Sequence, residues 1–207
     1  MEGNLTKGPI LKTLTKLAIP IMASSFLGTL YNITDMAWIG LLGAKAVAGV
    51  GGGGMFTWLS QGLVSLARMG GQVQVAQHIG RREQEEAHGY AQAAVQMSAL
   101  LGILFAAVVL ILLKPLIGFF KLEDAEALAA AFSYTKIACG LIMFSFLSLT
   151  LTGLYTAQGD SKTPFAANLV GLAANMILDP VLILGPGPFP RLGVTGAAIA
   201  TVTAQFI

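Results

Sequence analysis

Two aspartates stand where the chain is otherwise apolar. Asp35 lies in "YNITDMAWIG" and Asp179 in "NMILDP". Each is the sole acid of its apolar segment. A carboxylate at the centre of a membrane-spanning helix costs about 2.5 to 3.5 kcal/mol on insertion scales, so its presence marks a functional group by default. The chemistry open to it is narrow: it takes up a proton or holds a cation, and either event changes the local charge by one unit. A group whose occupancy favours one of two conformations is what an ion-coupled transporter requires. The plainer reading is an acid hydrogen bonded between helices for packing.

Helical geometry shows what surrounds these acids. At about 100 degrees per residue, Asn168, Asn175 and Asp179 fall within about 40 degrees of one another, and Ser24, Gly28, Tyr31 and Asp35 within a similar arc. Thr57, Gln61, Ser65, Arg68 and Gln72 share an arc of about 80 degrees on a further helix. Gln92 and Gln96 make a short pair, and Ser148, Thr152 and Tyr155 a further stripe. A single stripe is ordinary interhelical glue. Several stripes, two of them carrying acids, predict a shared aqueous cavity. Arg68 is expected to snorkel toward the near end of its segment. Pro180 cannot donate to the carbonyl of Met176 and leaves an acceptor free beside Asn175 and Asp179; Pro20 does the same to Lys16 and weakens the first helix. Both are expected helix-bending positions.

The elements that position these residues are read from the apolar runs. Of 207 residues, 55% are hydrophobic and 11% charged, against about a quarter charged in a soluble domain. Six segments, at about 15–40, 46–78, 88–113, 128–157, 164–184 and 194–207, predict an all-α polytopic membrane protein. The intervening breaks are "GRREQEEAHG", "FKLEDAEAL", "QGDSKTP" and the turn "GPGPFPRLG". No cleavage-type ending follows the polar N-terminus, so the first span is expected to be retained. The sixth segment stops in mid-pattern at "TVTAQFI", which predicts a fragment of a longer protein. A cytoplasmic N-terminus puts Lys7, Lys12, Lys16, Arg68, Arg81, Arg82 and Lys162 on the inner side, against Lys45, Lys114, Lys121, Lys136 and Arg191 outside. The positive-inside rule favours that orientation.

Other signals exclude function classes. A net charge of +2 with no sustained basic run gives no footprint for nucleic acid. Cys139 is the single cysteine and reads as a small core residue. "GVGGGG", Gly49 to Gly54, fits the dinucleotide fingerprint formally but lacks its strand and helix context; close approach of two membrane helices explains it better. "NLT" and "NIT" are chance glycosylation matches, one at the cytoplasmic end and one inside a span. His78 and His88 fit no zinc spacing and read as loop or interface residues. No nucleophile and base pair emerges, so no enzyme is expected. No cofactor is expected beyond a coupling proton or sodium ion.

Taken in order, "GPILKTLTKLAIPIMASSFLGTLYNITDMAWIGLLGAKAVAGVG", "QGDSKTP" and "NMILDPVLILG" followed by "GVTGAAIATVTAQ" resemble the N-terminal half of a multidrug and toxic compound extrusion (MATE) transporter. The acids in both "YNITDMAWIG" and "NMILDP" are similar to its DinF-like branch. The resemblance implies one six-helix lobe, residues 1–207, of a twelve-helix protein whose C-terminal lobe is absent here. It implies a prokaryotic plasma-membrane antiporter that exports organic cations or amphipathic drugs against protons or sodium. It also implies an ion-coupling site at Asp35, Asn175 and Asp179, completed by a sixth-helix threonine, Thr201 or alternatively Thr195. The same three residues, with Thr201, would form the sodium site if sodium is the ion. Tyr134 and Thr152 would line that cavity with Tyr31, Gln61 and Asn168. Partners implied are the drug, the bilayer and the missing lobe. A lipid-linked oligosaccharide flippase of the same superfamily is the alternative, although it favours a cationic cavity for its pyrophosphate; a non-transporting assembly subunit is the other.

Overall fold

The computed structural model describes residues 10–185 and 190–206. Lys7, the "NLT" match, the centre of the proline and glycine turn and Ile207 lie outside the described residues. Among the described residues the chain is helical without strands: α1 (Ile10–Gly40), α2 (Ala44–Arg81), α3 (Gln84–Ile111), α4 (Leu113–Gly118), α5 (Ala125–Gly140), α6 (Ile142–Ala157), α7 (Lys162–Leu184) and α8 (Val194–Phe206). Helices α1, α3 and α7 are each long and apolar enough to cross a membrane. Their outward faces carry residues such as Phe26, Leu100 and Ile177, all exposed, as suits contact with lipid tails.

All six expected segments are helical over their described residues, with three corrections. The fourth, expected as one span over 128–157, is two helices that meet at 48°. The break falls at Leu141 (φ −108°, ψ 15°), just after Gly140, a residue of low helix propensity. The third segment starts earlier, at Gln84, and stops at Ile111. Pro115 explains the stop: it offers no N–H to the carbonyl of Ile111. The chain restarts as the six-residue α4. The expected loop "GRREQEEAHG" is almost wholly helix, with only Arg82 and Glu83 between α2 and α3. Arg82 takes a left-handed conformation (φ 66°), and the N–H of Glu83 closes on the His78 carbonyl at 2.9 Å. That arrangement satisfies carbonyls at the end of α2.

Packing divides the bundle. Helices α2, α3, α5 and α6 form one tightly packed group, while α1 packs chiefly on α7 and α7 on α8. Helix α8 joins the two groups through α5 and, less, α6. The glycine run sets the α2–α5 distance. A methyl built on Gly49 would lie 2.5 Å from the Ala127 carbonyl oxygen, and one on Gly53 2.5 Å from Thr135 Oγ1. Only glycine lets the backbones come this close. At the end of the bundle that carries the α1–α2 turn, Lys45 Nζ reaches Asp124 Oδ2 at 2.8 Å and Glu126 Oε2 at 3.2 Å. The Lys45 ammonium, helped by the N–H groups of Ala127 and Glu126, holds the Asp124 carboxyl below the usual carboxylate range. At the opposite end Asp160 accepts from the N–H groups of Lys162 and Thr163 and from the Thr163 hydroxyl, securing the start of α7.

Candidate functional site

Asp35 sits in the last two turns of α1 and Asp179 near the end of α7; because these helices pack on each other, the two acids meet. Asp179 has no solvent-exposed surface and Asp35 is 7% exposed. They are close enough for their charges to repel. Asn175 stands one turn before Asp179 and donates Nδ2–H to Asp179 Oδ1 at 3.0 Å. Tyr31 lies one turn before Asp35 and feels Asp35, Asp179 and Tyr134 of α5. Its hydroxyl approaches that of Thr201 on α8, yet neither completes a hydrogen bond. Four helices thus contribute to one cluster.

The cluster's distinguishing feature is its unpaired oxygens. Tyr31 Oη, Asp35 Oδ1, Asn175 Oδ1, Asp179 Oδ2 and Thr201 Oγ1 are all buried without a hydrogen-bond partner. Buried polar atoms are normally satisfied, so five orphans in one place are a set of acceptors arranged for something else. Two carboxylates, an amide carbonyl and hydroxyls are hard oxygen donors, suited to a proton or an alkali cation rather than to a soft metal. Among the described residues no three His, Cys, Asp or Glu side chains converge, so neutral oxygens must complete any cation shell around the acid pair.

The remaining expected residues are distributed differently. Thr201 belongs with the cluster, while Thr195 lies in the first turn of α8, six residues away. Tyr134 is buried beside it. Asn168 shares the arc of Asn175 but is exposed, as is Gln61 on α2. Thr152 is half-buried on α6, a helix that supplies none of the cluster's groups. Arg68 stays on the α2–α6 interface, where its side chain crosses Gly153 and its Nε is buried without a partner. Pro20 and Pro180 lie within continuous helices. His78 packs against Tyr90 at 4.8 Å between ring centres. Thr135 escaped notice in the sequence: it is fully buried, its hydroxyl is unpaired and it abuts Gly53. A threonine beside Tyr134 in a helical run gave no signal of that.

A bundle of membrane-length helices around a buried acid pair defines a multi-pass membrane protein with an intramembrane polar site. Residues 20–181 match the MatE family model, and the chain belongs to that family. It is 31% identical over 199 residues to a probable multidrug resistance protein NorM of Thermotoga maritima, covering 96% of this chain and 42% of that protein. Among solved structures it is similar to a MOP superfamily transporter from Pyrococcus furiosus Vc1, with a TM-score of 0.85, 28% identity, and 97% of this chain and 43% of that one covered. It is also similar to an outward-facing multidrug resistance MATE family transporter, with a TM-score of 0.82, 28% identity, and 96% and 43% covered. The chain therefore spans less than half the length of these relatives. The family is one of membrane transporters, not enzymes; the Thermotoga maritima relative is named a probable multidrug resistance protein and the outward-facing structure a multidrug resistance transporter.

Proposed function

We propose that this chain is the N-terminal lobe of a secondary active multidrug exporter and that the Asp35 and Asp179 cluster binds its coupling ion. The observation that carries the reading is the convergence of both acids with the unpaired oxygens of Tyr31, Asn175 and Thr201. In this reading a proton or sodium ion enters the cluster and removes the repulsion between the two carboxylates. Helices α1, α7 and α8 then settle differently against α5, which shifts the balance between two states of the whole transporter. Pro20 and Pro180, each lacking an N–H, make α1 and α7 the helices that can bend during that change. Exported cargo is an organic cation or amphipathic drug; it travels between this lobe and a second one, with the N-terminus on the cytoplasmic side of the plasma membrane. Two acids with no cation beside them in the cluster favour that cargo over a pyrophosphate-bearing lipid.

The test uses the full-length protein in proteoliposomes loaded with the fluorescent organic cation ethidium, under separately imposed proton and sodium gradients. One of the two gradients is expected to drive ethidium movement, and Asp35→Asn to abolish that dependence while the protein still binds ethidium. Gradient-driven movement at the wild-type rate in Asp35→Asn would overturn the assignment.

A further inference from the structure

The end of the bundle beside the α1–α2 turn carries an open depression of about 520 Å³, lined by Leu42, Lys45, Ala46, Glu126, Ala130 and Val194. Its floor is an apolar layer made of Ile39, Val50, Ile183, Ala197 and Ala198, each at most 1% exposed. Leu42, Ala46 and Val194 pack on that layer from the depression side. The acid cluster lies directly beneath it, as the register of each helix shows. On α1 the order is Asp35, Ile39, Leu42: cluster, layer, depression. On α8, running the other way, it is Val194, Ala198, Thr201. On α5, Ala130 lines the depression and Tyr134, one turn on, lies beside the cluster. On α7, Ile183 stands one turn beyond Asp179. On α1 and α8, seven residues, two turns or about 10.5 Å of rise, separate the cluster residues from those lining the depression, with the apolar layer one turn from each acid.

We propose that this depression is a port for the coupling cation, separate from the route taken by the drug, and that Ile39 and Ile183 form its gate. The inference rests on the ion-coupling reading given above. An apolar constriction bars a hydrated ion or a water wire without any charged latch. Here the layer is thin and its bulk comes from two isoleucines and a valine, since the other members are alanines. The two isoleucines stand on α1 and α7, the helices that also carry the two acids. A change of charge at Asp35 or Asp179 thus acts one turn away from the gate on the same helices. The rim favours a cation as well: Lys45 contributes one positive charge against the negative charges of Asp124 and Glu126, which it contacts, leaving the group net negative at neutral pH.

The test uses full-length Ala44→Cys protein, in which residue 44 lines the depression and the native Cys139 is buried. A bulky membrane-impermeant thiol reagent fills the depression. Labelling is expected to slow gradient-driven ethidium movement several-fold relative to the same variant before labelling, with equilibrium ethidium binding unchanged. The same label on Glu123→Cys, exposed at the same end but outside the lining of the depression, is expected to change neither. In a parallel measurement, Ile39→Ala is expected to raise the drug-independent leak of the coupling ion several-fold. Unchanged ion-driven movement after complete labelling at residue 44, with Asp35→Asn uncoupled, overturns the port and leaves the carboxylate reading standing. Coupled movement retained in Asp35→Asn overturns the carboxylate reading and the port together.

Discussion

Asn175 donates to Asp179 in a place neither shares with solvent, so the bond is not replaceable by water. Removing one partner of such a pair leaves the other unsatisfied, at a cost of about 1 to 3 kcal/mol, whereas removing both with apolar groups of similar shape is nearly neutral. Asn175→Leu is therefore expected to lower the thermal midpoint of the detergent-solubilised protein, and Asn175→Leu combined with Asp179→Leu to be less destabilising than the sum of the two single changes. A midpoint unmoved by Asn175→Leu would show that Asp179 does not depend on this donor. At this scale the sequence was informative about the acids and Asn175, because a polar group in an apolar run has few explanations. It was less informative about Asn168 and Gln61. An angular arc specifies the direction in which a side chain leaves the helix but not its depth along the axis or what covers that depth. Both residues share their arcs with polar neighbours and remain exposed.

The glycine run of α2 separates space from propensity at the scale of the element. Gly49 faces backbone: a methyl there meets the Ala127 carbonyl, and the Ala130 methyl at 2.7 Å, while nothing lies within 4 Å of one at Gly51. Overpacking of this kind costs about 1 to 3 kcal/mol, and Gly to Ala in an open helical position gains about 0.5 to 1 kcal/mol. Gly49→Ala is thus expected to lower the fraction of folded protein on extraction and Gly51→Ala to raise the thermal midpoint, two changes of opposite sign two residues apart. Equal effects from both would mean that the run serves no close α2–α5 contact. The composition of "GVGGGG" suggested helix approach but not which glycines make it; that depends on the helix face turned to α5. Helix ends were harder still. Polarity marks where a membrane ends, yet α2 and α3 continue through the charged residues because a helix needs no lipid to persist. The break at Leu141 carried little signal, since Gly140 is one glycine among many.

Across the whole molecule, the site lies on the boundary between the two packing groups. Asp35, Asn175, Asp179 and Thr201 come from α1, α7 and α8; Tyr134 comes from α5. Under the proposed coupling, a neutral cluster and a charged one differ in how α1, α7 and α8 rest on the other group, and the internal packing of α2, α3 and α6 need not change. Among α1, α7 and α8, α1 is the least anchored: of its 31 residues only Asp35 and Ile39 are buried, and it leans mainly on α7. Segments with few buried contacts open locally at lower free energy than a packed core. In hydrogen exchange of the full-length protein, peptides from the first half of α1 are expected to exchange ahead of those from α2, whose buried residues run from Gly49 to Val75. Asp35→Asn, which mimics the neutral acid, is expected to alter protection in α1, α7 and α8 while leaving α3 as it was. A uniform change across all helices, or one confined to α2 and α3, would place the moving boundary elsewhere and detach the acid pair from it.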